Sequence, residues 1–274
     1  MTRAAFDERP TLIGHRGLGK GSVAGHAENT LGSFLAALDA GVRWLEVDVR
    51  RTLDDQLVVA HDAAIADGTF LASMSGGQAS RHGILRLHEL LEFLPPDVGV
   101  VFDVKSAMED AGRPARSTTA ALLARAAKSA LRQRPVVALS FDPAALGHMR
   151  GLLPTLPLGL LTWLRFPIGQ AVAAAAHLDV QVLAVHAGSL WPSPATPRSD
   201  LPTLPRVVEQ VHASRRQLMV WCPTARQARS LFVGGVDALV VDDVPQQVQA
   251  LTGSKLRASS LGPACERLGE GPCL

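Results

Sequence analysis

Short apolar runs separated by stretches of helical spacing constrain this chain more than any other feature. The β-rich runs fall at Leu12–His15, Trp44–Val49, Val98–Val104, Pro135–Phe141, Leu158–Trp163, Val180–His186, Gln217–Cys222 and Ala238–Val241. Between them, Asn29 or Thr30 caps a helix carrying Leu31, Phe34, Leu35 and Leu38, which Gly41 stops. Ser117–Leu131, Pro143–Gly151, Leu204–Ser214 and Ala225–Phe232 also read as helices. Eight strand–helix units in about 250 residues is the length of an α/β, TIM-type (β/α)8 barrel. A doubly wound open sheet shows the same alternation, but no strand here has the character of an edge. The run LVVAHD (Leu57–Asp62), reached through a turn at Leu53–Gln56, makes a small hairpin insertion after strand 2. The expected organisation is an N-terminal extension (1–10), one barrel domain (11–250) and a poorly ordered tail (251–274) in which hydrophobic periodicity is lost.

Composition removes several classes of function. Lys and Arg number 27 against 25 Asp and Glu, so no broad cationic field points to nucleic acid or an anionic membrane surface. The longest apolar stretch is interrupted by His177 and Asp179 and falls short of a membrane span, so no stable membrane insertion is expected. The N-terminus lacks the apolar core of a secretory signal. Cys222, Cys265 and Cys273 form no disulfide framework and read as free thiols, which with the missing signal gives the expectation of a cytoplasmic protein.

Charged residues gather where barrel strands end. In WLEVDV, Glu46 and Asp48 are two apart and share a strand face. His15 ends strand 1, Asp103 and Lys105 share a face at the end of strand 3, and His61 ends the inserted hairpin. Each piece has a plain alternative: E-x-D as a solvated edge, either histidine as a satisfied polar residue, D-x-K as an ion pair. Together, three carboxylates in one semi-buried mouth need compensation. A hard divalent cation (Mg²⁺ or Ca²⁺) provides it, because carboxylate oxygens are its preferred ligands.

With these residues in order, the chain resembles the glycerophosphodiester phosphodiesterases. HRG (His15–Gly17), ENT (Glu28–Thr30) and LEVDVRRTLDDQLVVAHD carry the specific part of the resemblance. FDVK (Phe102–Lys105), SFDPAAL (Ser140–Leu146), LGLLT (Leu158–Thr162), MVWCP (Met219–Pro223) and GVDALVVDDVP (Gly235–Pro245) extend it over roughly residues 11 to 247. The resemblance implies hydrolysis of glycerophosphodiesters to an alcohol and glycerol 3-phosphate. It also implies Glu46, Asp48 and Asp103 as metal ligands, His15 and His61 as general base and acid, and Arg16 and Lys105 against the phosphate oxygens. The neighbouring glycerol hydroxyl is expected to attack first, giving a cyclic phosphate that water opens. Two imidazoles titrating near neutrality suit that proton traffic.

Three departures stand out. Asp103 occupies a metal position that is usually Glu in this family. The loop LGKGSVAGHA is longer than usual and holds Lys20 and His26, both expected to be solvated. The segment from Ala63 to Arg86 is rich in Gly and Ser, and it leaves the alcohol unassigned. With no Tyr in the chain, a wide aromatic cage for a choline headgroup is not expected. Two other readings exist: a barrel that binds a phosphorylated ligand without turnover, and a P-loop-like nucleotide binder. The latter rests on Gly14, Gly19 and Lys20, but Gly21 stands where a P-loop needs Ser or Thr.

Overall fold

The structure is a computed structural model that describes residues 4–106, 108–192 and 201–259. Eight parallel staves close into a barrel: β1 (Thr11–Gly14), β2 (Trp44–Arg51), β3 (Gly99–Val104), β4 (Val136–Ser140), β5 (Leu158–Leu161), β6 (Val182–His186), β7 (Gln217–Trp221) and β8 (Ala238–Val241). The ring closes where β1 pairs with β8, from Thr11 beside Ala238 to Gly14 beside Val241. Around it run α1 (Leu31–Asp39), α2 (Gly76–Arg81), α3 (Leu87–Phe93), α4 (Thr119–Ala130), α5 (Pro143–Leu152), α6 (Ile168–His177), α7 (Leu204–Ala213), α8 (Ala225–Val233) and α9 (Val244–Ser259).

The staves are apolar on both faces, as strands covered on both sides must be. Leu45, Val47, Val49, Val100, Phe102 and Val104 pack outward in the layer shared with the helices. Ile13, Val101, Val137, Leu139, Val182, Met219 and Val240 fill the barrel interior. Local chemistry sets the helices: the Thr30 hydroxyl caps α1 by accepting the Ser33 N–H at 3.2 Å, and Asp142 caps α5 by accepting the Ala144 N–H at 2.8 Å.

The segment around Phe6 forms the barrel floor. Phe6 is buried against Trp44, ring centroids 5.2 Å apart and edge to face. Gln217 clamps this segment: its Oε1 accepts the Phe6 N–H at 3.0 Å and its Nε2 donates to the Phe6 carbonyl at 2.8 Å. Gly99 makes room for the Trp44 ring on which Phe6 packs, since a Cβ there would lie 2.3 Å from that ring.

The insertion after β2 is larger than a hairpin. Leu57–Val59 pairs antiparallel with β2, Leu85–Arg86 pairs antiparallel with Leu57–Val59, and α2 completes a small core of Val58, Ala60, Leu71, Met74 and Ala79. At the other end, helix α9 continues past Thr252 to Ser259, beyond the point where apolar spacing fades. Cys265, Cys273 and the rest of the expected tail from 260 onward lie outside the described residues. Among the described residues, no helix is long and apolar enough to cross a membrane.

Candidate active site

Alternation along β2 that sends Leu45 and Val47 outward sends Glu46 and Asp48 inward. Asp48 sits directly beside Asp103 of β3. One carboxylate oxygen from each of Glu46, Asp48 and Asp103 lies within 4.8 Å of the others, and all three residues are buried. Their charge is met by two cations. Lys105 Nζ lies 2.9 Å from Asp48 Oδ1 and bonds Asp103 Oδ2. Arg16 Nε lies 3.2 Å from Asp48 Oδ2, while its Nη1 donates to Glu28 Oε1 at 2.7 Å. Arg16 and Asn29, both at positive φ (54° and 58°), complete the frame: the Arg16 N–H donates to Glu46 Oε2 at 3.0 Å and Asn29 Nδ2 to Asp48 Oδ2 at 2.9 Å. ENT thus does more than open α1.

These contacts split the carboxylates. Burial and the neighbouring Asp48 push Glu46 up to about 8, against the pull of His15. Burial raises Asp103 as well, with Lys105 opposing it. Asp48 is held below the ordinary range despite its burial, because Lys105, Arg16 and Asn29 favour its charged form. The trio suits a hard divalent cation: all donors are carboxylate oxygens, and the buried Asp103 Oδ1 has no hydrogen-bond partner among the described residues.

His15 Nδ1 donates to Asp242 Oδ1 at 2.7 Å, and its Nε2 lies 3.8 Å from Glu46 Oε2. Burial depresses the imidazole, yet Asp242, Cys222 and Glu46 together hold it well above its usual value. His61 is half exposed at the end of the inserted arm, its Nδ1 2.8 Å from Asp62 Oδ1. Its carbonyl accepts from Arg50 Nε at 2.9 Å and Nη2 at 2.6 Å, which ties the arm to β2.

His15, Arg16, Glu46, His61, Asp103 and Lys105 line one cavity of about 340 Å³ at the C-terminal ends of the staves. Asp48, 1% exposed, lies behind that wall. A larger groove, about 630 Å³, runs along the outside of the barrel by α3 and α4 and contains none of these residues. Lys20 and His26 are both exposed, as expected, although Lys20 also reaches the cavity rim and its N–H donates to Asp242 at 3.2 Å. The G-x-x-x-x-G-K run leads into an antiparallel pair, Ser22–Val23 with His26–Ala27, and α1 starts only at Leu31, so no helix N-terminus follows the glycines as a P-loop requires.

Sequence reasoning missed the other half of the cavity. Phe141 stacks on Trp163 at 4.2 Å and meets Trp221 edge to face at 6.0 Å, and all three line the cavity with Leu139, Leu161 and Met219. A low aromatic content did not prevent an aromatic wall, because Phe141, Trp163 and Trp221 come together at the C-terminal ends of β4, β5 and β7. Asp242 and Cys222 were missed as well. They directly follow β8 and β7, as His15 follows β1, so the strand-end rule that selected His15 applied equally to them.

The comparisons agree with this geometry. The chain matches the Glycerophosphoryl diester phosphodiesterase family over residues 15–246. Glycerophosphocholine phosphodiesterase GDE1 of Candida albicans is 38% identical over 90 residues, covering 31% of this chain and 7% of that protein. The corresponding Schizosaccharomyces pombe protein is 39% identical over 77 residues, 27% of this chain and 6% of its own length. The matched stretches are thus a small part of these curated relatives. The fold recurs in glycerophosphodiester phosphodiesterase from Thermotoga maritima, with a TM-score of 0.68, 18% identity and coverage of 91% of this chain and 99% of that one. It recurs also in a phosphodiesterase from Oleispira antarctica solved with sn-glycerol-3-phosphate, with a TM-score of 0.68, 22% identity and coverage of 91% and 100%. This chain belongs to the glycerophosphoryl diester phosphodiesterase family.

Proposed function

We propose that the chain hydrolyses glycerophosphodiesters to glycerol 3-phosphate and a free alcohol. The observation that carries this reading is the joint presence of His15, His61, Lys105, Glu46 and Asp103 on one cavity wall. Glu46, Asp48 and Asp103 would hold a divalent cation, Mg²⁺ or Ca²⁺, which supplies positive charge at a phosphate oxygen. Lys105 and Arg16 add fixed charge where negative charge builds on phosphorus. Asp242 keeps the Nδ1 proton on His15, so its Nε2 is the nitrogen free to move a proton. His61, steadied by Asp62, serves the opposite transfer. The glycerol hydroxyl beside the ester is the first nucleophile, and water then opens the cyclic phosphate.

The aromatic wall is assigned to the leaving alcohol. A quaternary ammonium fits ring faces of this kind, and the curated relatives are named for glycerophosphocholine. The deciding assay measures glycerol 3-phosphate release from choline, ethanolamine, inositol and glycerol esters and from lysophospholipids, with Mg²⁺, Ca²⁺, Mn²⁺ or chelator. No release from any ester with any metal would refute the reading and leave ligand binding without turnover. Equal rates on an analogue lacking the neighbouring hydroxyl would refute the cyclic route alone.

A further inference from the structure

A second set of ligand-type atoms meets on adjacent staves at the barrel seam. His15 follows β1, Cys222 follows β7 and Asp242 follows β8, and one nitrogen, sulfur or oxygen from each lies within 4.8 Å of the others. His15 Nδ1 is 2.7 Å from Asp242 Oδ1 and 3.6 Å from Cys222 Sγ. Zinc bonds of about 2.0–2.1 Å to nitrogen or oxygen and about 2.3 Å to sulfur, at tetrahedral angles, place N and S about 3.6 Å apart and N and O about 3.3 Å apart. The nitrogen–sulfur spacing already matches. The nitrogen–oxygen pair has to open by about 0.6 Å, which is the exchange of a hydrogen bond for two metal bonds.

The backbone holds these donors in place. Cys222 sits at φ 54° with its N–H donating to the Val240 carbonyl at 2.9 Å. Asp243, also at φ 54°, is packed so closely on Gly19 that a Cβ at Gly19 would lie 2.5 Å from its nitrogen. Asp242 Oδ1 accepts the Lys20 N–H at 3.2 Å as well, a support of the kind that orients metal ligands. Imidazole, thiolate and carboxylate together select a borderline ion. Mg²⁺ and Ca²⁺ prefer all-oxygen sites such as the carboxylate trio.

We propose that His15, Cys222 and Asp242 form a second cation site, selective for zinc-type ions, and that filling it stops catalysis by taking His15 out of proton transfer. Binding releases the Cys222 thiol proton to solvent, moves the His15 proton from Nδ1 to Nε2, where it blocks the nitrogen that would accept one from substrate, and changes no oxidation state. The inhibitory half rests on the phosphodiesterase reading, whereas the site itself does not.

The test uses the full chain carrying Cys265→Ser and Cys273→Ser, which leaves Cys222 as its one thiol. Titration with Co²⁺ should produce a near-ultraviolet thiolate-to-cobalt charge-transfer band. Cys222→Ala should abolish the band while its thermal melt stays cooperative, and Cys222→Ser repeats the test with a side chain of nearly the same size. In parallel, zinc is titrated into glycerol 3-phosphate release at saturating Mg²⁺, each variant normalised to its own zinc-free rate. Loss of Cys222 should raise the inhibiting zinc concentration by at least about tenfold. A band with no Cys222-dependent inhibition would overturn the inhibitory half and keep the site. Should no substrate be cleaved at all, the phosphodiesterase reading fails while the cobalt band still decides the site. Absence of a Cys222-dependent band overturns the proposal outright.

Discussion

Lys105 Nζ stands 2.9 Å from Asp48 Oδ1, so an ammonium already occupies the carboxylate cluster where a divalent cation is expected. Lys105 also bonds Asp103, and it lines the cavity. The residue expected against phosphate therefore also serves as an internal counter-ion. Removing it leaves buried carboxylate charge without its nearest partner.

Lys105→Met should accordingly destabilise the chelated protein by about 3–5 kcal/mol, the range for breaking a buried pair from one side. Saturating Mg²⁺ or Ca²⁺ should recover most of that loss, and activity should stay low. Chemical denaturation with and without metal measures both. A variant equally destabilised in the two conditions would show that Lys105 and the cation do not share a site.

Stability of the metal-free protein should fall as pH rises from about 5 to about 8. Glu46 and Asp103 are raised in the folded chain, and so is His15. Across this window the folded state holds protons that the unfolded chain has released, so folding weakens with increasing pH. Asp48 and Asp242 are depressed and act in the opposite sense below the ordinary carboxylate range. His186, lowered by burial, opposes the trend in the lower part of the window, as one group against three. Saturating Mg²⁺ or Ca²⁺ should flatten the slope, because deprotonated carboxylates are what the ion binds. Melting temperature against pH, with chelator and with either cation, tests the sign; a flat chelator curve contradicts it.

His15→Ala and His61→Ala should each lower kcat by about 10² to 10⁴. The double variant should lose less than the product of the two, as groups that act as a unit do. Single-turnover rates on folded variants give the comparison, and a full rate with either histidine removed would unseat the acid–base pair.

Phe6→Ala should cost about 3–5 kcal/mol by opening a cavity in the barrel floor. Because the plug lies at the opposite end from the cavity mouth, kcat below the melt should not change. A reduced kcat with an unchanged melt would mean that the floor is coupled to the site.

Much of this architecture could be read from residues alone. Periodicity located the staves, and the strand-end positions of His15, Glu46, Asp103, Lys105 and His61 fall on one cavity wall, with Asp48 behind it. Asp103 keeps the aspartate's shorter reach and still falls beside Asp48, because the β2–β3 register sets them side by side. What stayed hidden depended on partners far away in the chain. Phe6 becomes a plug only through Gln217, and Asp242 becomes the partner of His15 only once β8 lies next to β1. Cys222 and Asp243 take a backbone conformation that their residue types do not announce.

The seam between β1 and β8 joins residues 11–14 to residues 238–241, nearly the largest sequence separation the chain offers. Pairings this distant are slow to form, since a long loop must close before any contact repays it. Until then, two unpaired strands remain exposed as templates for other chains. His15 and Asp242 lie just past this seam on opposite sides. A chain stalled before closure would combine an unassembled site with two adhesive edges, so conditions that slow refolding should yield aggregate rather than a partly active monomer.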